Sequence, residues 1–185
     1  MENGQHFTKR VLEAGLPEVL KSPKTEGEIQ LIIRRPALGE REVLESCEVN
    51  DEVGLVGDTW LQRPSSRTPD KSAHPDAQIN IMNARAAQLV AGSKERWKWA
   101  GDQFYIDLDL SLENLPAGTR LEMGSAILEV TALPHTGCKK FVSRFGIEAM
   151  KFVNSPVGRA NNLRGINAKV VKTGMVRVGD NARKV

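Results

Sequence analysis

Apolar residues in this chain recur in short runs that are separated by closely spaced turn residues. The segment FYIDLDLS at 104–111 alternates strictly and places Ile106, Leu108 and Leu110 on one side of an extended chain. A similar short run, EIQLIIRRP, occupies 28–36. The runs do not alternate regularly with helical segments. This pattern favours a mostly β fold, a mixed or antiparallel closed β-barrel with a few short helices, over a doubly wound sheet.

The alternation also predicts which side chains share one side of a strand. Two such sets are expected in the first third of the chain: Ile29, Leu31 and Ile33, and then Val43, Cys47 and Val49. The remaining pattern predicts a strand at 78–83, a helix at 84–92, a pair of strands joined by a glycine turn at 118–133, a helical stretch at 138–153 with a break near Gly146, and a closing hairpin at 165–180.

The length of 185 residues suits one domain with a substantial core. Residues 1–25 are polar and predicted to be a loosely attached arm, which leaves 26–185 as the barrel domain. The segment 62–77 holds three prolines and three serines and is too long for an ordinary connection. We expect a mobile linker or a functional lid there, with Arg63, Arg67 and His74 as its contact residues.

The net charge of +3 is small, but the charges are unevenly distributed. Residues 38–58 carry seven acidic side chains and one basic one, whereas 131–172 carry eight basic side chains and one acidic one. The second region is either a solvated basic face or a pocket for an anionic ligand. The first twenty residues lack the pattern of a secretory signal, and no apolar run is long enough to span a membrane. We therefore expect a cytoplasmic protein with free thiols and no membrane partner.

Cys138 lies in the segment LPHTGCKKFVSRFG at 133–146. We expect Thr136 to cap a helix that begins near Cys138, so that the helix dipole favours the thiolate over the thiol. Cations that follow and the nearby histidine add to this effect: Lys139, Lys140, Arg144 and His135. Because free cysteines are often buried as small apolar residues, the local sequence leaves both a reactive and a structural interpretation open.

The second cysteine, Cys47, has no such surroundings. Glu45 and Glu48 flank it, which would raise the pKa of its thiol, and its position in the alternation predicts burial in the core. The chain contains no paired-cysteine zinc pattern, no phosphate loop and no dinucleotide fingerprint.

The run LPAGTRLEMGSAILEVTALPHTGCKKFVSRFG, followed by LRGINAKVVKTGMVRVGD, closely resembles the MOSC domain, the C-terminal domain of molybdenum cofactor sulfurases. GLVGDTW at 54–60 resembles the earlier glycine–aspartate motif of that family. The resemblance implies a mixed β-barrel with its site at one characteristic cysteine, which is Cys138 here. In the family this cysteine is thought to carry sulfur as a persulfide or to bind the molybdenum of a pterin cofactor.

The resemblance implies that residues around Cys138 bind the anionic molybdenum cofactor (molybdopterin). The candidates are His135, Thr136, Lys139, Lys140, Arg144, Arg159, Arg164, Asn167, Asp58 and Arg63, with Cys138 as the catalytic residue and as the ligand of any bound molybdenum. Arg159 and Arg164 flank a Gly- and Asn-rich loop that is expected to close over the site. Pyridoxal phosphate is not expected, because the chain has no room for the desulfurase domain that binds it in the sulfurases.

Three functions follow as alternatives. The protein transfers sulfur or binds the molybdenum cofactor through Cys138, with a cysteine desulfurase as a partner. Alternatively, it reduces N-hydroxylated compounds with an external electron-transfer partner. The third alternative is a non-catalytic module for an anion or RNA, although the low net charge and the scarcity of aromatic residues argue against nucleic acid.

Overall fold

The computed structural model describes residues 6–185, and most of its regular structure is short strands. The strands are β1 (Glu26–Arg34), β2 (Glu42–Leu44), β3 (Ser46–Asn50), β4 (Gly54–Leu55), β5 (Ile79–Asn83), β6 (Phe104–Ile106), β7 (Arg120–Met123), β8 (Ala126–Val130), β9 (Ile166–Lys172), β10 (Gly174–Arg177) and β11 (Asn181–Lys184). The helices are α1 (Lys9–Val19), α2 (Ala84–Ala91), α3 (Lys94–Trp97), α4 (Lys139–Phe145), α5 (Ile147–Asn154) and α6 (Pro156–Ala160). The strand predicted at 78–83 and the helix predicted after it are confirmed as β5 and α2.

Seven strands close into a barrel. Their order is β11-β7-β8-β9-β5-β6-β1, and β1 closes the ring by pairing with β11. β5 and β6 run parallel, whereas the other neighbouring pairs of the ring are antiparallel. β2 extends the sheet from β1, and β10, β3 and β4 form a second, smaller sheet. The predicted mixed closed barrel with a few short helices is confirmed, and closure leaves the seven strands few unpaired edges.

Apolar side chains form two cores, one inside the barrel and one between its outer face and the helices. The predicted alternation at 104–111 is confirmed, because Ile106, Leu108 and Leu110 lie in the barrel core. Tyr105 points to the other side and packs in the outer core, where its hydroxyl donates to the Trp97 carbonyl. One strand thus contributes to both cores, as expected for a strand buried on both faces.

The predicted side of Ile29 is wrong. A bulge in the pairing of β1 with β6 lies between Ile29 and Leu31 and shifts the register there. Ile29 and Ile32 consequently face the barrel core, while Leu31 and Ile33 face the helices. A bulge changes the parity of a strand, which a period-two reading of the sequence does not detect.

The set predicted around Cys47 is correct only in part. Cys47 and Val49 on β3 are buried in the barrel core, whereas Val43 on β2 is 52% exposed. Val43 and Cys47 do not share one side because the strand is interrupted at Glu45. The residues before it, in β2, pair with β1, and those after it, in β3, pair with β10. Burial raises the pKa of the Cys47 thiol to about 12. Burial, and not the neighbouring glutamates, is therefore the cause.

The closing hairpin predicted at 165–180 is also wrong. β9 pairs with β8 and β5 within the barrel, and β10 pairs with β3 of the second sheet. The two strands separate after Lys172, so Thr173 connects two sheets and does not form the turn of a hairpin. The glycine-turn pair at 118–133 is confirmed as β7 and β8.

Part of the predicted N-terminal arm is a helix that packs firmly. Leu12 on α1 is fully buried in the outer core with Val19, next to side chains of α2 and α5. Residues 1–5 of the arm lie outside the described residues. The division into an arm and a barrel domain stays a prediction. Across residues 6–185 the structure contains no helix of the length and apolarity that a membrane crossing requires.

The packing of α1 predicts a measurable effect of Leu12→Ala. Removing a fully buried leucine side chain leaves a cavity and should lower the free energy of unfolding by about 2–4 kcal/mol. Denaturant unfolding followed by circular dichroism measures this change. Val11→Ala is the matched control: Val11 is 46% exposed, and its change should stay within about 0.5 kcal/mol. Equal stability of the two variants would contradict the packed position of α1.

Candidate functional site

Cys138 lies at the surface, at the start of α4. It is exposed and is itself the N-cap residue, with an extended backbone and a carbonyl that accepts from the Val142 amide at 3.0 Å. Thr136 is therefore not the cap, and this prediction is wrong. The chain before the helix is held by Asn154 instead, whose amide side chain accepts from the Gly137 N–H at 2.9 Å and donates to its carbonyl at 3.1 Å. Sequence reasoning missed Asn154.

α4 turns its apolar face inward, as its spacing predicted. Phe141 and Phe145 are buried, and the expected break occurs at Gly146, whose φ of +88° suits glycine. Lys139 and Lys140 are exposed on the first turn. Arg144 folds back over the Trp99 ring at 5.7 Å, donates to the Trp99 carbonyl and lies within electrostatic reach of Cys138. The guanidinium of Arg144 is therefore a cation near the thiol, and its contacts with Trp99 fix its position.

Two buried side chains, Asp102 and Arg164, form a group with the partly buried His135 in the segment that precedes Cys138. Asp102 has a fully buried carboxylate, and Arg164 Nη1 donates to both of its oxygens at 2.7 and 3.0 Å. His135 Nε2 lies 3.1 Å from the same carboxylate, without the alignment of a good hydrogen bond. Arg164, which was predicted to flank a loop that closes over the site, is thus a buried ion-pair partner of Asp102. Arg159 lies on α6, is exposed, and donates through Nε to the Asn154 carbonyl at 2.9 Å.

The charge states of this group follow from its surroundings. Burial alone would raise the pKa of Asp102, but Arg164 and His135 outweigh it and hold the pKa at about 2. Burial lowers the pKa of His135, and Arg164 lowers it further against the opposing effect of Asp102. At neutral pH the group is therefore a carboxylate, a guanidinium and a neutral imidazole.

A second buried chain of hydrogen bonds links the glycine–aspartate motif to the Cys138 segment. Arg35 holds the buried carboxylate of Asp58 with Nε and Nη2, both at 2.8 Å, and donates from Nη1 to Asn80 Oδ1 at 3.0 Å. Asn80 donates to Asn167 Oδ1 at 2.6 Å, and Asn167 donates to the Leu133 carbonyl at 2.9 Å. Asn167 thus reaches the segment from β9, and Asp58 is occupied by an arginine that sequence reasoning missed.

Arginine side chains converge around Gly101 next to this chain. The Gly101 carbonyl accepts from Arg35 Nη1 at 2.9 Å. Arg144 Nη1 and Arg41 Nη2 each lie 3.9 Å from the point that a Cβ on Gly101 would occupy. We call Arg35, Arg41, Arg63 and Arg144 the arginine cluster. Sequence reasoning identified Arg63 and Arg144 but missed Arg35 and Arg41, because their closeness depends on long-range pairing of the chain.

The arginine cluster is short of negative charge. Burial lowers the pKa of Arg63 to about 10, with Arg35 and Arg41 adding to the effect and Asp58 opposing it. Burial likewise lowers the pKa of Arg41, and the positive charges of Arg144 and Arg35 lower it further. Arg41 Nε is buried and has no hydrogen-bond partner within residues 6–185. The arrangement resembles an anion site, in which guanidinium groups bind phosphate or carboxylate oxygens.

Two cavities open on either side of the segment 133–136. The first, of about 380 Å³, is lined by Arg35, Asn80 and Trp60 and by the three contact residues predicted in the long loop, Arg63, Arg67 and His74. The second, of about 270 Å³, is lined by Arg159, Arg164 and apolar side chains. Leu133, Pro134, His135, Thr136 and Asn167 line both. The predicted mobility of the long loop stays a prediction.

The described part of the chain holds no cluster of three or more histidine, cysteine or acidic side chains that could bind a metal ion.

The buried Asp102 group predicts a pH-dependent stability. Because the folded pKa of Asp102 lies below its ordinary value of 3.8, its contribution is present above about pH 4 and is lost as the pH falls toward 2. The pKa of His135 is also depressed, so its contribution is present above about pH 6.5 and is lost at lower pH. Asp102→Asn should cost about 3 kcal/mol at pH 7, since Arg164 stays buried without its partner. Denaturant unfolding between about pH 2 and 8 measures both effects. The exposed Glu113→Gln is the control, and a stable Asp102→Asn protein with the wild-type pH profile would contradict the assignment.

Several solved protein structures have a similar architecture. The chain is similar in structure to the YuaD protein from Bacillus subtilis, with a TM-score of 0.63, 16% identity and coverage of 85% of this chain and 94% of that one. It is also similar to YiiM from Escherichia coli (TM-score 0.55, 17% identity, 85% and 69% covered) and to YiiM from Geobacillus stearothermophilus (TM-score 0.57, 13% identity, 86% and 75% covered). At these identities the likeness concerns the fold alone. No curated protein sequence matches significantly. The sequence of residues 68–183 matches the MOSC domain, and the chain therefore belongs to the MOSC domain family.

Proposed function

We propose that the protein binds the molybdenum cofactor, with the arginine cluster holding its anionic groups and Cys138 supplying one thiolate. The observation that carries this proposal is the charge balance of the arginine cluster. Arg35, Arg41 and Arg144 meet around Gly101, and Arg63 lies within electrostatic reach of Arg35 and Arg41. Asp58 forms an ion pair with Arg35. A bound phosphate would offset charges that now lower the pKa values of their neighbours.

The residues present fit such a group. Arg41 Nε is a buried donor that lacks an acceptor within residues 6–185, and a phosphate oxygen would supply one. Arg63 projects from the long loop into the cavity of about 380 Å³, next to Arg35. The cofactor, when bound, supplies two-electron redox chemistry at a metal whose remaining sulfur ligands it carries itself.

The chain's own part is to bind, to orient and to hold charge. Arg144 lies within electrostatic reach of Cys138 and would balance the charge of a thiolate ligand there. His135 is neutral and buried beside Asp102, so it keeps the segment before Cys138 in place without adding a charge. Reduction of an N-hydroxylated compound would further require an electron-transfer partner.

The exposure of Cys138 favours a second function of the same residue, the carrying of sulfur. In such a step the thiolate of Cys138 attacks the outer sulfur of a donor persulfide. A new sulfur–sulfur bond forms on Cys138, the bond in the donor breaks, and the donor leaves as a thiol, so that no further oxidant is needed. A cysteine desulfurase is the kind of partner that presents such a persulfide.

Cofactor analysis tests the first function. Protein made in a host that synthesises the cofactor should release a fluorescent pterin after iodine oxidation and contain molybdenum. Arg41→Gln should lower the pterin content about tenfold, because a charge-assisted contact to the anion is lost. Arg177→Gln is the matched control, since Arg177 is an exposed arginine on β10 outside both cavities. Folded wild-type protein without pterin and molybdenum would overturn the proposal.

Thiol labelling tests the accessibility that both functions need. At pH 6, iodoacetamide should modify Cys138 at least about a hundredfold faster than Cys47, because Cys47 is buried and its pKa is raised to about 12. Mass spectrometry of peptides measures both rates, and Cys138→Ser and Cys47→Ser identify each signal. After incubation with a persulfide donor, a mass increase of one sulfur on Cys138 would support the carrier role. Equal, slow labelling of the two cysteines would contradict a reactive site at Cys138.

A further inference from the structure

The cavity of about 270 Å³ lies on the far side of segment 133–136 from the arginine cluster. It is enclosed by the end of β8, the start of β9, α6 and the loop after β6. Neither Cys138 nor a member of the arginine cluster lines it. The ligand contacts proposed above, from the arginine cluster and Cys138, therefore lie outside this cavity.

The inner wall of the cavity is apolar. Leu115, Val130, Val153 and Ile166 line it, and each of these side chains is otherwise buried. The cavity volume of about 270 Å³ is close to the smallest volumes of ligand-binding pockets, about 300 Å³. It corresponds to the volume of roughly nine molecules of liquid water. An apolar body of up to about ten heavy atoms would remove this surface from water.

The mouth of the cavity carries a cation. Arg159 lines the cavity and is exposed, which places it at the opening. Its Nε donates to the Asn154 carbonyl, and its two terminal nitrogens have no protein partner within the described chain. Arg164 also lines the cavity, but Asp102 balances its charge. No acidic residue is among the lining residues. The opening is therefore positive, and the interior is apolar.

The loop that forms one side of the mouth is fixed to α6. The Leu112 amide donates to the Ala160 carbonyl at 3.0 Å, and Asn162 donates to the Leu110 carbonyl at 2.8 Å. Leu112 is 57% exposed although it lines the cavity, so its side chain stands at the rim. An apolar rim beside a guanidinium suits a ligand with both kinds of group.

We propose that this cavity is a binding site for a small carboxylic acid with an apolar body. The body fills the space between β8, β9 and α6, and the carboxylate pairs with the terminal nitrogens of Arg159. A charged head on an apolar chain matches the two halves of the site, whereas a free anion would leave the apolar interior unfilled and an alcohol would leave Arg159 unpaired.

Titration with hexanoate, acetate and 1-hexanol, followed by two-dimensional amide NMR, tests this site in the full-length protein. Hexanoate should bind with shifts at residues that line the cavity. Acetate should bind on the order of a hundredfold more weakly, because four methylene groups are lost, and 1-hexanol about tenfold more weakly, because the charge is lost.

Two variants and two controls complete the experiment. Arg159→Gln should weaken hexanoate binding about tenfold and leave 1-hexanol binding unchanged. Ala132→Phe should abolish the binding of both, because Ala132 lines the cavity and the larger side chain would occupy its volume. Ala132 is exposed, so the substitution should not disturb the packing of the core. Arg177→Gln should bind hexanoate as the wild type does. Cys138→Ser should also bind it unchanged, which separates this site from the function of the cysteine.

Equal binding of acetate and hexanoate would overturn the proposal, and so would hexanoate binding that neither Arg159→Gln nor Ala132→Phe affects. Absence of hexanoate shifts at the cavity in the wild-type protein would overturn it as well, whatever the cofactor analysis yields.

Discussion

The buried carboxylate of Asp102 is the contact on which the arrangement of the site depends. It joins three parts of the chain that are far apart in sequence: the turn before β6, the turn before β9 and the segment that leads to Cys138. Arg164 neutralises it and His135 lies against it, so a charge that would be costly alone is stabilised by its neighbours. Loss of this contact would remove one support of the segment 133–136, which Asn167 also holds at the Leu133 carbonyl and which lines both cavities.

The sequence predicted the barrel because its evidence is local. The alternation at 104–111, the glycine turn between β7 and β8 and the burial of Cys47 depend on neighbours within a few residues, and the structure confirms these three predictions. The predictions that are wrong concern positions whose structure depends on pairing between strands far apart in sequence. The bulge beside Ile29 is a property of how β1 pairs with β6, and Thr173 separates two sheets because β10 finds its partner in β3. Neither pairing leaves a signal in the local pattern.

The residues of the candidate site also fall into two groups, those that local sequence predicts and those that only the closed barrel brings together. The basic neighbours of Cys138 and the buried face of α4 could be predicted from spacing, whereas the assignment of a site to Cys138 rested on the family resemblance. The arginine cluster could not, since Arg35 and Arg41 lie about a hundred residues before Arg144 and meet it only around Gly101. Asp58 and Arg164 were recognised as site residues from the family motifs, but their ion pairs with Arg35 and Asp102 depend on the closed barrel. A charged residue in a motif can thus support a site without contacting a ligand.

The position of the thiol follows from packing and not from bonds of its own. Phe141 and Phe145 fix the rotation of α4, and Asn154 holds Gly137 from both sides. A Cβ on Gly137 would lie 3.2 Å from Met150 and from Val153, so the chain runs close against α5 just before the cysteine. Cys138 is therefore held at the surface by its neighbours, and its side chain makes no capping hydrogen bond at the start of α4. This is the arrangement that either of its proposed roles, as a metal ligand or as a sulfur carrier, requires of a single cysteine.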